Sequence, residues 1–216
     1  MKRIGGAAFS LAATSVLAMC GMFTFGQGTA TAADPESAQL FTVDAKAIAA
    51  REKALAETAP DGAKLVAYLD CGTQRESTTS EEVRITWAGG KCYEFKSEAE
   101  GVSPTQSTVF YDDAQVVFEL SGVDRGRRYM AGLSWWDYDN GGRSQSVLVG
   151  SPDGRAVRLA VPAIRLPNYT DDGQLLAERR FLLPVTFARD GKMRLTVQGV
   201  TGANTVISEL WIWQLD

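Results

Sequence analysis

The sequence predicts an all-β protein folded as an antiparallel β-sandwich or jelly roll, and three observations predict it. From Lys64 onward, short strand-like segments follow one another: KLVAYLDC, EVRITWAG, KCYEFKS, STVFYD, AQVVFELS, RRYMAGLSWWDYD, SQSVLVG, AVRLAVP, FLLPVTFA, MRLTVQG and NTVISELWIWQL. Turn chemistry separates them at Gly89-Gly90, Asp112-Asp113, Gly122 to Gly126, Asn140-Gly141-Gly142, Pro152-Asp153-Gly154 and Asp190-Gly191. Gly and Asp supply the backbone angles that tight hairpin loops require. No helical pattern interrupts the series, and the only long break falls at 162 to 180. A stretch of about 150 residues can bury one sizeable core, so 63–216 is expected to form a single sandwich domain.

The segments before it read differently. Lys2 and Arg3 lead an apolar run that ends at Ala30-Thr31-Ala32, the layout of a secretory signal peptide with a small-residue cleavage site. Residues 1–32 are therefore set apart from the fold, and the mature chain is expected to be secreted or extracytoplasmic, with no membrane insertion. An uncleaved anchor is the alternative, because the run is nearly long enough to span a bilayer. A lipoprotein signal around Cys20 is weaker, since Met19 stands where a small residue is wanted. Residues 33–62 read as a linker with one short helix from about Asp44 to Thr58. Asp44 can cap it, and Pro60 with Gly62 stop it. Its apolar stripe is thin, which predicts loose packing or a spacer.

Composition narrows the function. The formal charge of −4 and pI near 5.0 give no footprint for nucleic acid or anionic lipid, where clustered Lys and Arg are needed. The chain has no His, which removes Ser-His-Asp and Cys-His nucleophile activation and the commonest metal ligand. Carboxylate-pair glycosidase or Tyr/Arg lyase chemistry would remain for an enzyme. The acid pairs Asp112/Asp113, Asp137/Asp139 and Asp171/Asp172 sit at turns, where Asp serves its own backbone. A non-catalytic role follows as the expectation. With Cys20 in the leader, Cys71 and Cys92 remain. An exported chain would be expected to bond them, closing a loop of about 20 residues worth roughly 3 kcal/mol.

The candidate site lies in SWWDYDNGGRSQSV, Ser134 to Val147. Along a strand of period two, Tyr129, Ala131, Leu133 and Trp135 share an apolar face, and Met130, Gly132, Ser134, Trp136 and Tyr138 share the other. Trp135 is assigned to the core. Trp136 and Tyr138 are then placed beside a Gly-rich loop carrying Asp139, Asn140 and Arg143. Exposed aromatics next to planar polar groups suit a sugar ring, whose C–H face lies on the aromatic while its hydroxyls meet the polar groups. The competing reading has Trp136 covered by the 162–180 segment and Arg143 paired with Asp139. Tyr169, in that segment, is a further candidate contact. In the last strand, Glu209 shares a face with Ile207, Trp211 and Trp213, so it needs either a partner Arg, the simpler account, or a structural calcium ion.

The segments RRYMAGLSWWDYDNGGRSQSV, FLLPVTFARDGKMRLTV and GANTVISELWIWQL resemble the second half of galactose-binding-like β-sandwich modules. There a strand ending in Trp-Asp precedes a Gly-rich turn, and the final strand is of the Ser-Glu-aliphatic-Trp type. AYLDCG at 67 to 72 is similar to the opening strand of malectin-like domains. The resemblance covers most of 64–216 and implies a galactose-binding-like jelly roll. Discoidin-type relatives of that group often place a structural calcium at the residue matching Glu209. The expectation is an exported carbohydrate-binding module, with polysaccharide or glycan as partner, no required cofactor and calcium as an optional structural ion. An envelope or matrix protein-interaction domain is the alternative. A polysaccharide lyase or glycosidase comes last.

Overall fold

The computed structural model describes residues 39–78, 82–87, 89–95, 104–169 and 177–216, and among these it forms twelve strands, one α-helix and short 3₁₀ turns. The leader expected at 1–32, the start of the linker and the Asp171/Asp172 pair lie outside the described residues. In chain order the elements are helix α1 (Ala45–Glu57) and strands β1 (Lys64–Asp70), β2 (Arg84–Trp87), β3 (Lys91–Glu94), β4 (Thr108–Asp112), β5 (Gln115–Ser121) and β6 (Arg128–Ser134). There follow β7 (Ser144–Gly150), β8 (Val157–Arg165), β9 (Glu178–Leu182), β10 (Met193–Thr201), β11 (Thr205–Ile207) and β12 (Glu209–Leu215).

Every strand pairing is antiparallel. One sheet runs β1-β12-β6-β9, a second β2-β5-β10-β7-β8, and a small third sheet β11-β4-β3. The first two bury a common core. Ala131, Leu133, Leu210 and Ile212 from one sheet meet Val116, Phe118, Leu120, Val147, Leu195 and Val197 from the other. Trp135 joins this core with no exposed surface, as the period-two reading expected. The all-β sandwich is thus the observed architecture.

Two segments depart from the expected strands for physical reasons. FLLPVTFA is not one strand: β9 ends at Leu182, and Val185–Phe187 forms a 3₁₀ turn after Pro184. Proline lacks the N–H that a ladder needs. NTVISELWIWQL is two strands that change sheets at Ser208, whose N–H donates to the Ser134 carbonyl and whose carbonyl accepts from Cys71 N–H. The Asp190-Gly191 turn behaves as predicted, with both residues at positive φ, 50° and 71°.

The helix does more than space the chain. Asp44 caps it through Lys46 N–H at 3.0 Å, and Leu55 buries itself against Tyr68, Trp211 and Trp213 on the outer face of the first sheet. Trp213 Nε1 donates to the Leu55 carbonyl at 3.1 Å. Room for Trp211 comes from Gly132, where an added Cβ would lie 2.2 Å from the indole. A thin stripe suffices because the sheet presents large indole surfaces to it.

The disulfide expected between Cys71 and Cys92 is absent, and both are free thiols. Cys71 is fully buried, and Cys92 Sγ lies 3.9 Å from the Cys71 carbonyl oxygen. Burial raises the Cys71 thiol well above its usual range and the Cys92 thiol to about 11. That suppresses the thiolate, the form that reacts.

Candidate functional site

The face of the small sheet turned away from the core carries the site. Register pairs Tyr93 with Val109, and Tyr111 with both Lys91 and Val206, so these side chains share one face. The opposite face sends Phe110 and Cys92 into the main core. Tyr93, Val109, Tyr111 and Val206, with Phe95 just beyond β3, form one side of a groove of about 310 Å³. Tyr138, Asp139, Arg143 and Asn204 form the other. Tyr93 is 52% exposed and Tyr111 half-buried, so the groove offers accessible aromatic surface beside polar groups.

The polar wall is held by one buried carboxylate. Asp137 accepts hydrogen bonds from the N–H groups of Gly141, Gly142 and Arg143 at 2.9, 2.8 and 3.2 Å. Its Oδ1 also receives Arg143 Nη1 at 2.6 Å. The 138–143 turn is therefore wound around Asp137, with Asn140 and Gly142 at positive φ, 54° and 71°. The Arg143 guanidinium, buried itself, also bonds both oxygens of Asp139, and Nε donates to Asn204 Oδ1 at 2.9 Å. The hydrogen bonds from Arg143 hold the Asp139 carboxyl below the usual carboxylate range. The carboxylates outweigh desolvation and raise the guanidinium's pKa.

Several sequence-predicted contacts are relocated. Trp136 is only 1% exposed and stands at 89° to Tyr169, 5.4 Å between ring centroids. It is the centre of a second small core with Val109, Tyr138, Tyr169 and Ala177, and so is no stacking platform. The covering is built by the chain crossing at Asp137: its N–H donates to the Pro167 carbonyl at 2.8 Å, and Asp137 bridges to Asn168. Tyr169 is likewise buried, at 3%. Tyr138 reaches the groove by its ring alone, because its hydroxyl is bonded to Ser208 and donates to the Gln106 carbonyl. Asn140 is exposed and serves the turn. Asp139 and Arg143 line the groove, the latter with most of its donors engaged.

Tyr93, Phe95, Tyr111 and Asn204 were not among the expected contacts. The alternation in KCYEF and VFY was the available signal, since it places Tyr93 with Phe95 and Val109 with Tyr111 on single faces.

Glu209 lies elsewhere, under α1. Arg51 donates to both its oxygens at 2.9 Å, joined by Tyr68 at 3.0 Å, Thr105 at 3.0 Å and Ser134 at 2.7 Å. Burial alone would raise this carboxyl, but the guanidinium and hydroxyls outweigh it and hold it low. Five donors use up the lone pairs that a carboxylate offers, so the partner is arginine and a calcium ligand role is displaced. Among the described residues no cluster of three or more acidic or thiol side chains could hold a metal ion.

Opposite Glu209 in register, Asp70 is buried with Oδ2 unpartnered among the described residues. Burial pushes its carboxyl up to about 7, despite hydrogen bonds to Oδ1 from Thr108 and from Gly72 N–H. The folded state therefore retains a proton that the unfolded chain releases near pH 4, and stability should fall as pH rises from about 4 through 7. At roughly 1.4 kcal/mol per unit, Asp70 accounts for about 4 kcal/mol of that decline. Urea unfolding of wild type and Asp70→Asn at pH 5 and 8 checks this. The variant's advantage should widen with pH, and parallel curves would refute it.

No protein-family model matches the chain, and no curated protein matches it. Solved structures do. The ANX2 ectodomain from Arabidopsis thaliana shares 11% identity with TM-score 0.51, over 71% of this chain and 50% of that one. The ANXUR1 extracellular domain from the same plant gives 9%, 0.50, 71% and 49%. A Bacteroides uniformis beta-glucuronidase matches at 10% and 0.44, over 59% of this chain and 14% of its own. The chain thus spans about half the length of the ANX ectodomains, and at these identities the likeness is one of sandwich fold.

Proposed function

We propose that this chain is an exported, non-catalytic domain that binds glycan in the groove between the small sheet and the 138–143 turn. The observation that carries the reading is the groove's lining: Tyr93, Phe95 and Tyr111 on and beside the small sheet, faced by Tyr138, Asp139, Arg143 and Asn204. A pyranose ring can lie on Tyr93 and Tyr111, with its hydroxyls toward Asp139 and Asn204. Truncating a central aromatic contact typically weakens binding about tenfold or more. Tyr93→Ala and Tyr111→Ala should therefore lose retention on polysaccharide affinity gels, while Tyr93→Ala melts within a few degrees of wild type. Absence of retention on every polysaccharide tried, or retention unchanged by both substitutions, would overturn the reading. Product release from those polysaccharides would move the chain to the lyase or glycosidase class.

Export is supported by the leader-like amino terminus, and the ANXUR1 match is itself an extracellular domain. One observation favours the second reading, a protein-interaction domain. Strand β8 bonds only β7 among the described residues and exposes Val157 and Leu159. A stable oligomer that Leu159→Lys dissolves would favour it.

A further inference from the structure

We infer that the groove selects glycans carrying free amino groups, such as glucosamine units, over neutral ones and turns away uronates, an inference that rests on the glycan-binding reading above. The charge at the polar wall decides this. Among the described residues of the lining Arg143 is the cation, yet four of its five N–H bonds are already directed to Asp137, Asp139 and Asn204. Two carboxylates facing one guanidinium leave a surplus negative charge, and the member of the group that reaches solvent is Asp139, with 64% of its side chain exposed. Among the described residues of the lining, an incoming carboxylate would find no uncommitted cation and would meet Asp139. An incoming ammonium would find a carboxylate oxygen with a spare lone pair.

The aromatic walls add to the same preference. Ring faces of tyrosine and phenylalanine carry negative potential and attract cations within about 6 Å. Tyr138 cannot turn its hydroxyl toward the ligand, since that oxygen is held by Ser208 and Gln106. It therefore presents aromatic surface alone. Lys91 shares the Tyr111 row but is exposed and outside the groove's lining. Asp139 keeps its charge at mildly acidic pH, where an amino sugar is protonated, because Arg143 holds its carboxyl low.

The test uses the full chain and calorimetric titration at mildly acidic pH with three oligosaccharides of equal length: glucosamine, N-acetylglucosamine and galacturonate. Glucosamine should bind about fivefold tighter than its acetylated form, as one exposed ion pair allows, and high salt should erase the difference. Asp139→Asn should bring the two forms to equal affinity and remove the salt dependence of their ratio. Salt dependence of the wild type gives a reading even if Asp139→Asn folds poorly. Equal binding of the amino and acetylated forms, or tighter binding of galacturonate, would overturn the charge preference and leave the glycan-binding reading standing. No binding of any of the three, or of any polysaccharide in the affinity panel, would remove both.

Discussion

Arg51→Ala should destabilise the protein by about 3–5 kcal/mol, the range for removing one partner of a buried ion pair, although Arg51 lies on a helix outside the sandwich. Glu209 is fully buried on the outer face of the first sheet. Among the described residues Arg51 supplies two of its five hydrogen bonds and the one positive charge in that network. Without it, Tyr68, Thr105 and Ser134 still donate, but a buried carboxylate is left without its cation. The wild-type Glu209 carboxyl is held low, so its stabilisation is present above the ordinary carboxyl range and is lost as pH falls through the folded value. In Arg51→Ala the sign reverses: the uncompensated acid takes up a proton more readily than in the unfolded chain. The deficit of the variant should shrink on acidification. Urea unfolding at pH 5 and 8 reads both effects, and a loss below about 1 kcal/mol at pH 8 would mean that solvent or the hydroxyls carry the charge. Arg51→Met combined with Glu209→Leu should recover most of the loss, because the pair's worth lies in mutual compensation.

That pairing marks where the sequence could be read and where it could not. Alternation within a strand is local, so Ala131, Leu133 and Trp135 were legible as core, and the turns at Asp190-Gly191 and Asn140-Gly142 as bends. The face carrying Met130, Gly132 and Ser134 looked open only because nothing in its own strand shows what covers it. The cover is α1, about 80 residues earlier, and its amphipathic signal is weak because two indoles and Leu55 do the packing. Glu209 needed a partner by elementary electrostatics, but identifying Arg51 required the tertiary fold. The candidate site was half legible for the same reason. Period two separates Trp136 from Trp135 correctly, into a second cluster, but nothing within the strand shows that the 167–169 crossing covers it, the competing reading of the 162–180 segment. The aromatics of KCYEF and VFY were within reach of the same rule, which would have placed Tyr93, Phe95 and Tyr111 around a common face.

Trp136→Ala should cost about 3–5 kcal/mol, the usual price of emptying a large aromatic site, and this separates its role from that of Tyr93. Trp136 is not itself in the groove's lining, but it belongs to the buried cluster behind Val109 and Tyr138, which are. It meets Tyr169 edge-on, and Tyr169 in turn packs on Tyr138, in the cluster that ties the 167–169 crossing to the small sheet. Removing the indole leaves Tyr138 without backing, so the substitution acts on the groove through packing alone. Trp136→Phe, which keeps an aromatic in the site, should recover more than half the stability. Below the lowered melting transition, Trp136→Ala should still retain glycan within a few-fold of wild type, whereas Tyr93→Ala should melt normally and lose retention. A Trp136→Ala protein that is as stable as wild type yet fails to bind would return the indole to the ligand surface and require the groove to be redrawn around it. A binding loss that tracks the unfolded fraction across temperature would instead follow from the buried position of Trp136, because a residue can abolish binding by dissolving the wall on which the contact stands.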